Sequence, residues 1–266
     1  YDYSNANTVD YFTLKSIDIL KGPASSLYGS DALGGVVSFN TLTVDDLLEE
    51  GEDFNIEIPV NYKGANKSVG GAGRIAYRDE ESGLSFLAVL SKSEAEELEP
   101  NGAPAKYVND AEISTKAALL NVNKQINPSN KIGFTIDTYS KDSDIARASG
   151  NLSTGYFNYT KQESDIKQTK NRYIFSWEHD AIDKTNFVDN LKAKIYYQDY
   201  ETKDYWNEFQ AEKYFFGRLL NQDRDVYSRY KLVDDSYGLD LQLGSNINNH
   251  KLTYGLDYSL TSNEYS

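Results

Sequence analysis

The chain has 266 residues and a formal charge of −14, from 41 acidic and 27 basic side chains. That balance excludes the basic stripe expected of a nucleic-acid binder. The absence of cysteine excludes disulfide staples, thiolate catalysis and Cys-ligated metal centres. Aromatic usage is unusual, with 22 Tyr beside 11 Phe and 2 Trp. Tyrosine joins an apolar ring to a polar tip and collects where a surface is half apolar and half wet. No run of about 18 apolar residues exists, so a transmembrane helix is excluded, whereas a membrane β-barrel is not. Methionine is absent and the chain starts at Tyr1, as expected of a mature or interior piece.

The first fifty residues predict a small compact unit. Ile17–Leu20 reads as a strand. Gly22 and Pro23 open a helix of one to two turns, with Gly29 just past its end. Gly34 and Gly35 allow a tight turn into a second strand, Val36–Asn40.

From about residue 53 the pattern changes to period-two alternation. Phe54, Ile56, Ile58, Val60 and Tyr62 recur at every second position, as do Tyr173, Phe175 and Trp177, and again Tyr237, Leu239, Leu241 and Leu243. Such alternation puts each set on one face of a strand. Nine strands are predicted, near 53–65, 70–79, 84–92, 114–126, 131–141, 167–179, 187–200, 234–245 and 251–262. Short connections (Asp79–Gly83, Asn127–Asn130, Asp180–Asn186, Asn246–His250) alternate with long ones at 93–113, 142–166 and 201–233. A soluble sandwich has no reason to gather its long loops at one end, whereas an outer-membrane barrel does. Strands of ten or more residues also exceed the globular mode of about 5–6. The predicted fold class is an all-β membrane protein, an antiparallel transmembrane β-barrel preceded by a compact α+β unit.

Residues from the run Ile-Asp-Ile-Leu-Lys-Gly-Pro through Ser-Ser-Leu-Tyr-Gly-Ser-Asp-Ala-Leu-Gly-Gly-Val-Val-Ser-Phe carry a family resemblance. This segment resembles the end of the plug domain of TonB-dependent outer-membrane receptors. The motif positions are Gly22, Pro23, Leu27, Tyr28, Gly29, Ser30, Gly34 and Gly35. The stretches Asn40–Gly51 and Asn248–Ser259 resemble the haem and haemoglobin receptor branch. The resemblance implies a plug inside a 22-stranded barrel, divided here as 1–42 plug, 43–52 linker and 53–266 barrel wall. It implies import across a Gram-negative outer membrane, driven by the TonB energy-coupling system. It further implies haem or a haem-carrying protein as the cargo at the extracellular loops, outer-membrane lipid around the wall, and no intrinsic cofactor. A ferric siderophore as cargo is the first alternative. A passive porin has no use for a plug, and a soluble β-sandwich is the last rival.

Few residues invite chemistry. His179 and His250, the only imidazoles, are expected at short-turn ends, away from a ligand arriving at the loops. Glu94, Glu96, Glu97 and Glu99 read as a solvated acidic loop without a catalytic partner. Gly70, Gly71 and Gly73 lack the strand-to-helix context of a phosphate cradle. No nucleophile–base pair stands out, so no enzyme is expected. The stretch 201–233 carries Tyr205, Trp206, Phe209, Tyr214, Phe215, Phe216, Tyr227 and Tyr230, and reads equally as a ligand-binding surface or as a loop folded over the barrel mouth on its own aromatic cluster. Tyr205, Trp206, Tyr214 and Phe215 are its foremost candidates, phenolate being a known haem-iron ligand.

Overall fold

The computed structural model describes residues 8–23, 33–96, 110–147, 152–153, 158–181, 188–211, 213–215, 218–221, 224–247 and 250–266. The predicted helix after Pro23, and motif positions Leu27, Tyr28, Gly29 and Ser30, lie outside these residues. Before and after it, β1 (Leu14–Lys21) and β2 (Gly35–Thr41) pair antiparallel as a two-stranded sheet of their own. Gly35 needs its freedom: φ is +148° and a side chain there would strike the Leu20 carbonyl.

The rest is one antiparallel meander. Its strands are β3 (Phe54–Glu57), β4 (Val60–Lys63), β5 (Ser68–Asp79), β6 (Leu84–Glu96), β7 (Asp110–Asn127), β8 (Asn130–Arg147), β9 (Leu152–Ser153), β10 (Asn158–Asp180), β11 (Asn190–Ala211), β12 (Lys213–Phe215), β13 (Arg218–Asn221), β14 (Arg224–Ile247) and β15 (His250–Tyr265). The main sheet runs β15-β14-β11-β10-β8-β7-β6-β5-β3, with β4 also on β5 and β9 on β10; β12 and β13 pair as a separate hairpin. All nine predicted wall crossings are present. The first is broken in two, because Pro59 lacks the N–H that a continuous ladder needs and offers only its carbonyl, to the Ala72 N–H at 3.0 Å.

The three long connections are shorter than predicted. β8 runs on to Arg147, β10 begins at Asn158, and β11 and β14 stay paired up to Gln210 and Arg224. Hence most of 142–166 and 201–233 is ladder, not loop. Above the apolar rows both faces are polar, so the period-two contrast vanishes while the backbone hydrogen bonds continue. Glu96, Glu112, Asp144 and Asp165 illustrate this, as successive cross-strand partners on the outer face.

The register sorts the side chains into rows. Phe54, Tyr77, Phe86, Val122, Phe134, Phe175, Ile195, Leu239 and Tyr258 are consecutive partners across the whole sheet. Ile56, Ile75, Ala88, Leu120, Ile136, Tyr173, Tyr197, Tyr237 and Leu260 form the next row. On β3 and β4 the apolar set continues toward the long-connection end (Val60, Tyr62), while on β15 it continues toward the short-turn end (Leu256, Tyr254, Leu252). A belt that slides against the ladder in this way requires strands tilted to the belt plane, as in a membrane barrel.

These apolar rows face outward, not into a core. Phe54, Ile56, Phe134, Phe175, Ile195 and Tyr237 are all exposed. The opposite face carries the protein core, where Phe12, Leu42, Val44, Leu47 and Leu48 of the N-terminal segment meet Ala72, Ala76, Leu87, Val89 and Leu119 of β5–β7. Residues 43–52 are therefore more than a tether. Full burial of a large apolar side chain is worth roughly 1.5–3 kcal/mol. Leaving two such rows half exposed to water would forfeit on the order of 20 kcal/mol, more than the 5–15 kcal/mol stability of a typical domain. The outer face needs an apolar surrounding.

Candidate functional site

The N-terminal segment is fastened to the inner face of the wall by polar contacts at both ends of its buried stretch. At one end Lys170 Nζ of β10 donates to the Thr8 carbonyl at 2.8 Å and to Asp137 Oδ2 of β8 at 2.9 Å. All three residues are buried. Four residues on, the Arg74 guanidinium of β5 donates twice to the Phe12 carbonyl, at 2.8 and 3.2 Å, and reaches Glu57 Oε2 of β3 at 3.1 Å. Asp10 lies between them and caps the 3-10 turn Tyr11–Thr13 by accepting from the Phe12 N–H at 2.8 Å. Burial raises its carboxyl pKa, against the lowering effect of the Phe12 N–H, Ser91 and Arg74.

Further along, Asn55 Nδ2 donates to the Leu47 carbonyl at 2.6 Å, and Arg78 pairs with Asp45. Within the segment, Lys15 meets Asp46 at 2.5 Å. Burial alone would raise the Asp46 carboxyl, but Lys15 and the two Thr43 donors outweigh it and hold it below the ordinary carboxylate range. Gly70 of β5 lets the segment approach: a Cβ there would stand 2.9 Å from Ser93 Cβ and 3.1 Å from Tyr11 Oη. The sequence alone marks this glycine only as lacking the context of a phosphate cradle. Toward the short-turn end a polar cavity of about 650 Å³ opens between Thr41, Thr43 and Asp45 and the wall residues Arg78, Asn121, Gln125 and Glu178.

The aromatic candidates of 201–233 sit on strands, and alternation divides them. Tyr205 pairs with Asp165 and Arg229 on the outer face, where the Arg229 guanidinium lies 4.9 Å from its ring centroid. Trp206 pairs with Ser164 and Ser228, on the parity of the buried Thr202 and Asp204, so it belongs to the inner face. Tyr230, the partner of Asp204, shares that face. Tyr214 and Phe215 lie on β12, in the hairpin between β11 and β14; Phe216 lies outside the described residues. The described aromatics are thus divided between faces and elements.

The remaining candidates are peripheral. His179 is the penultimate residue of β10, its Nδ1 3.0 Å from Asn130 Oδ1, and His250 opens β15; both stand at short-turn ends. Glu94 and Glu96 lie on the extension of β6 rather than in a loop, paired with Lys92 at 2.6 Å and Lys67 at 2.5 Å; Glu97 and Glu99 are outside the described residues. No cluster of three or more metal-ligating side chains exists among the described residues. Gly22 and Gly34 are joined by the Gly22 N–H to Gly34 carbonyl bond at 3.2 Å, which closes the open end of β1–β2 beside Pro23. Lys170, Asp137 and Arg74, the residues that grip the segment, were not picked out from the sequence.

Comparison with known proteins agrees with this architecture. The TonB-dependent Receptor Plug Domain family matches residues 1–36. Over 53 residues the chain is 45% identical to the heme/hemopexin utilization protein C of Haemophilus influenzae, covering 20% of this chain and 8% of that protein. It is 30% identical over 102 residues to transferrin-binding protein A of Neisseria meningitidis serogroup B (38% and 11%), and 33% identical over 81 residues to the hemin receptor of Yersinia pestis (30% and 12%). The matched segments thus span about a tenth of these relatives. Among solved structures, the ferric preacinetobactin receptor BauA of Acinetobacter baumannii matches with TM-score 0.60 and 13% identity over 94% of this chain and 47% of that one. The siderophore receptor PiuA of the same organism matches with TM-score 0.51 and 10% identity, over 96% and 52%. The chain therefore joins the end of a TonB-dependent receptor plug domain to antiparallel strands with the fold of TonB-dependent receptor barrels.

Proposed function

We propose that this chain belongs to an outer-membrane receptor that captures haem, or iron from a haem-carrying protein, and admits it by TonB-driven displacement of the plug. One observation carries the reading: a plug-family segment is packed on the polar inner face of a wall whose outer face is an apolar belt. A wall built this way suits a bilayer outside and a filled lumen inside. The boundaries 1–42, 43–52 and 53–266 divide plug, connecting segment and wall. The protein supplies binding and gating rather than bond chemistry, with energy delivered from the inner membrane.

Capture falls to the long-connection end, where Trp206 and Tyr230 hold inward-facing strand positions. Tyr205 faces outward, on the rim, while Tyr214 and Phe215 belong to the hairpin above it. Names of partial relatives that refer to heme, hemopexin and hemin favour haem as cargo. A ferric siderophore is the second reading, favoured by the two receptor structures that share the fold. The purified full-length receptor, incubated with haem and passed through gel filtration, should retain a Soret band. Loss of the band, with retention of a ferric siderophore instead, would transfer the assignment to the second reading.

A further inference from the structure

We propose that Lys170 is the catch that retains the plug, a wall side chain whose release from the Thr8 carbonyl sets when the plug can leave. The proposal rests on the import reading but is tested without cargo or energy coupling. Two contacts share one construction. In each, a wall cation is balanced by a wall carboxylate on a neighbouring or nearby strand and lends a hydrogen bond to a backbone carbonyl of the plug. Lys170 balances on Asp137 and holds Thr8; Arg74 balances on Glu57 and holds Phe12.

This construction is suited to repeated release. The plug contributes only carbonyl oxygens, so its departure leaves no buried charge without a counter-charge: each cation keeps its carboxylate in the wall. The two catches differ in strength for a stated reason. The Lys170 and Asp137 side chains are 7% and 12% exposed, whereas those of Arg74 and Glu57 are 16% and 40% exposed. Water weakens an exposed pair far more than a dry one. A pull from the N-terminal side also reaches Thr8 before Phe12. Lys170 is therefore the first and stronger of the two.

The test uses the full-length receptor in planar bilayers, recording the rate at which urea opens a conducting pore. Lys170→Met combined with Asp137→Leu removes the catch together with its counter-charge. It should open about tenfold faster or more, the scale of one lost charge-assisted hydrogen bond. Lys170→Arg, which keeps the cation, should stay near the unmodified rate. A merely structural role would not separate these two variants. Should the double variant fail to assemble, Lys170→Gln decides: it can satisfy Asp137 but is too short to hold Thr8 as well, and should also open faster. Unchanged opening in the double variant or in Lys170→Gln would overturn the proposal, as would a Lys170→Arg receptor that opens as fast as the double variant. An unmodified receptor that conducts without urea would contradict the plugged-receptor reading itself.

Discussion

Asp10 and Asp46 show how single carboxyls tune the docking of the plug, in opposite senses. Burial raises Asp10, so its protonated form fits the docked state better. Its favourable contribution is full below the unfolded value near 3.8 and is lost as pH rises through the raised value. Asp46 is held low by Lys15 and Thr43, so its contribution is present above 3.8 and is lost as pH falls through its lowered value. Above 3.8 only the Asp10 contribution changes with pH, so the protection of the Phe12 and Thr13 amides, corrected for the intrinsic pH dependence of exchange, should rise as pH falls toward that value. Asp10→Asn keeps an acceptor for the Phe12 N–H and should flatten that dependence. Unaltered pH dependence in the variant would assign it elsewhere. The gripping residues themselves were illegible in the sequence. Lys170 stands in the polar run Lys167-Gln-Thr-Lys-Asn-Arg172, and its plug acceptor lies 162 positions away. By contrast, the placement of His179 and His250 at short-turn ends was legible, because it follows from counting strands.

The wall strands were legible wherever the two faces differ in polarity. Tyr237, Leu239, Leu241 and Leu243 alternate with Gly238, Asp240 and Gln242, and the structure places that apolar parity outside. An arginine at Leu241 should damage membrane assembly, since a cation at mid-bilayer on a barrel costs roughly 2–4 kcal/mol. Gln242→Arg faces the lumen and should be much milder. Heat-modifiable migration of the two variants on gels measures the difference, and equal damage would reverse the face assignment. Legibility failed where that contrast fades. β11 and β14 continue to Gln210 and Arg224 through a segment wet on both sides, which reads as loop because no alternation marks it. Tyr205 and Trp206 then read as one surface, although adjacent positions on a strand point to opposite faces.

At the scale of the whole molecule, polarity is turned inside out. Lys170, Asp137, Asp204, Thr202 and Ser164 are buried on the face that holds the plug, while Phe54, Val60, Leu90 and Ile195 are exposed on the other. Neither feature suits water as the only solvent, and both suit a bilayer around a filled lumen. Length and loop alternation made this legible before any coordinates, because the short turns fall at one end of the meander.

The most direct test is a nitroxide scan of β10 in the full-length receptor reconstituted in bilayers. Spin labels at Tyr173, Phe175 and Trp177 should collide freely with oxygen dissolved in lipid, while labels at Arg172, Ile174 and Ser176 should be shielded from it. Ile174 is the discriminating position, an apolar residue on the inner face. Accessibility that is equal at both parities, or highest at Ile174, would contradict the inside-out wall and the receptor built on it.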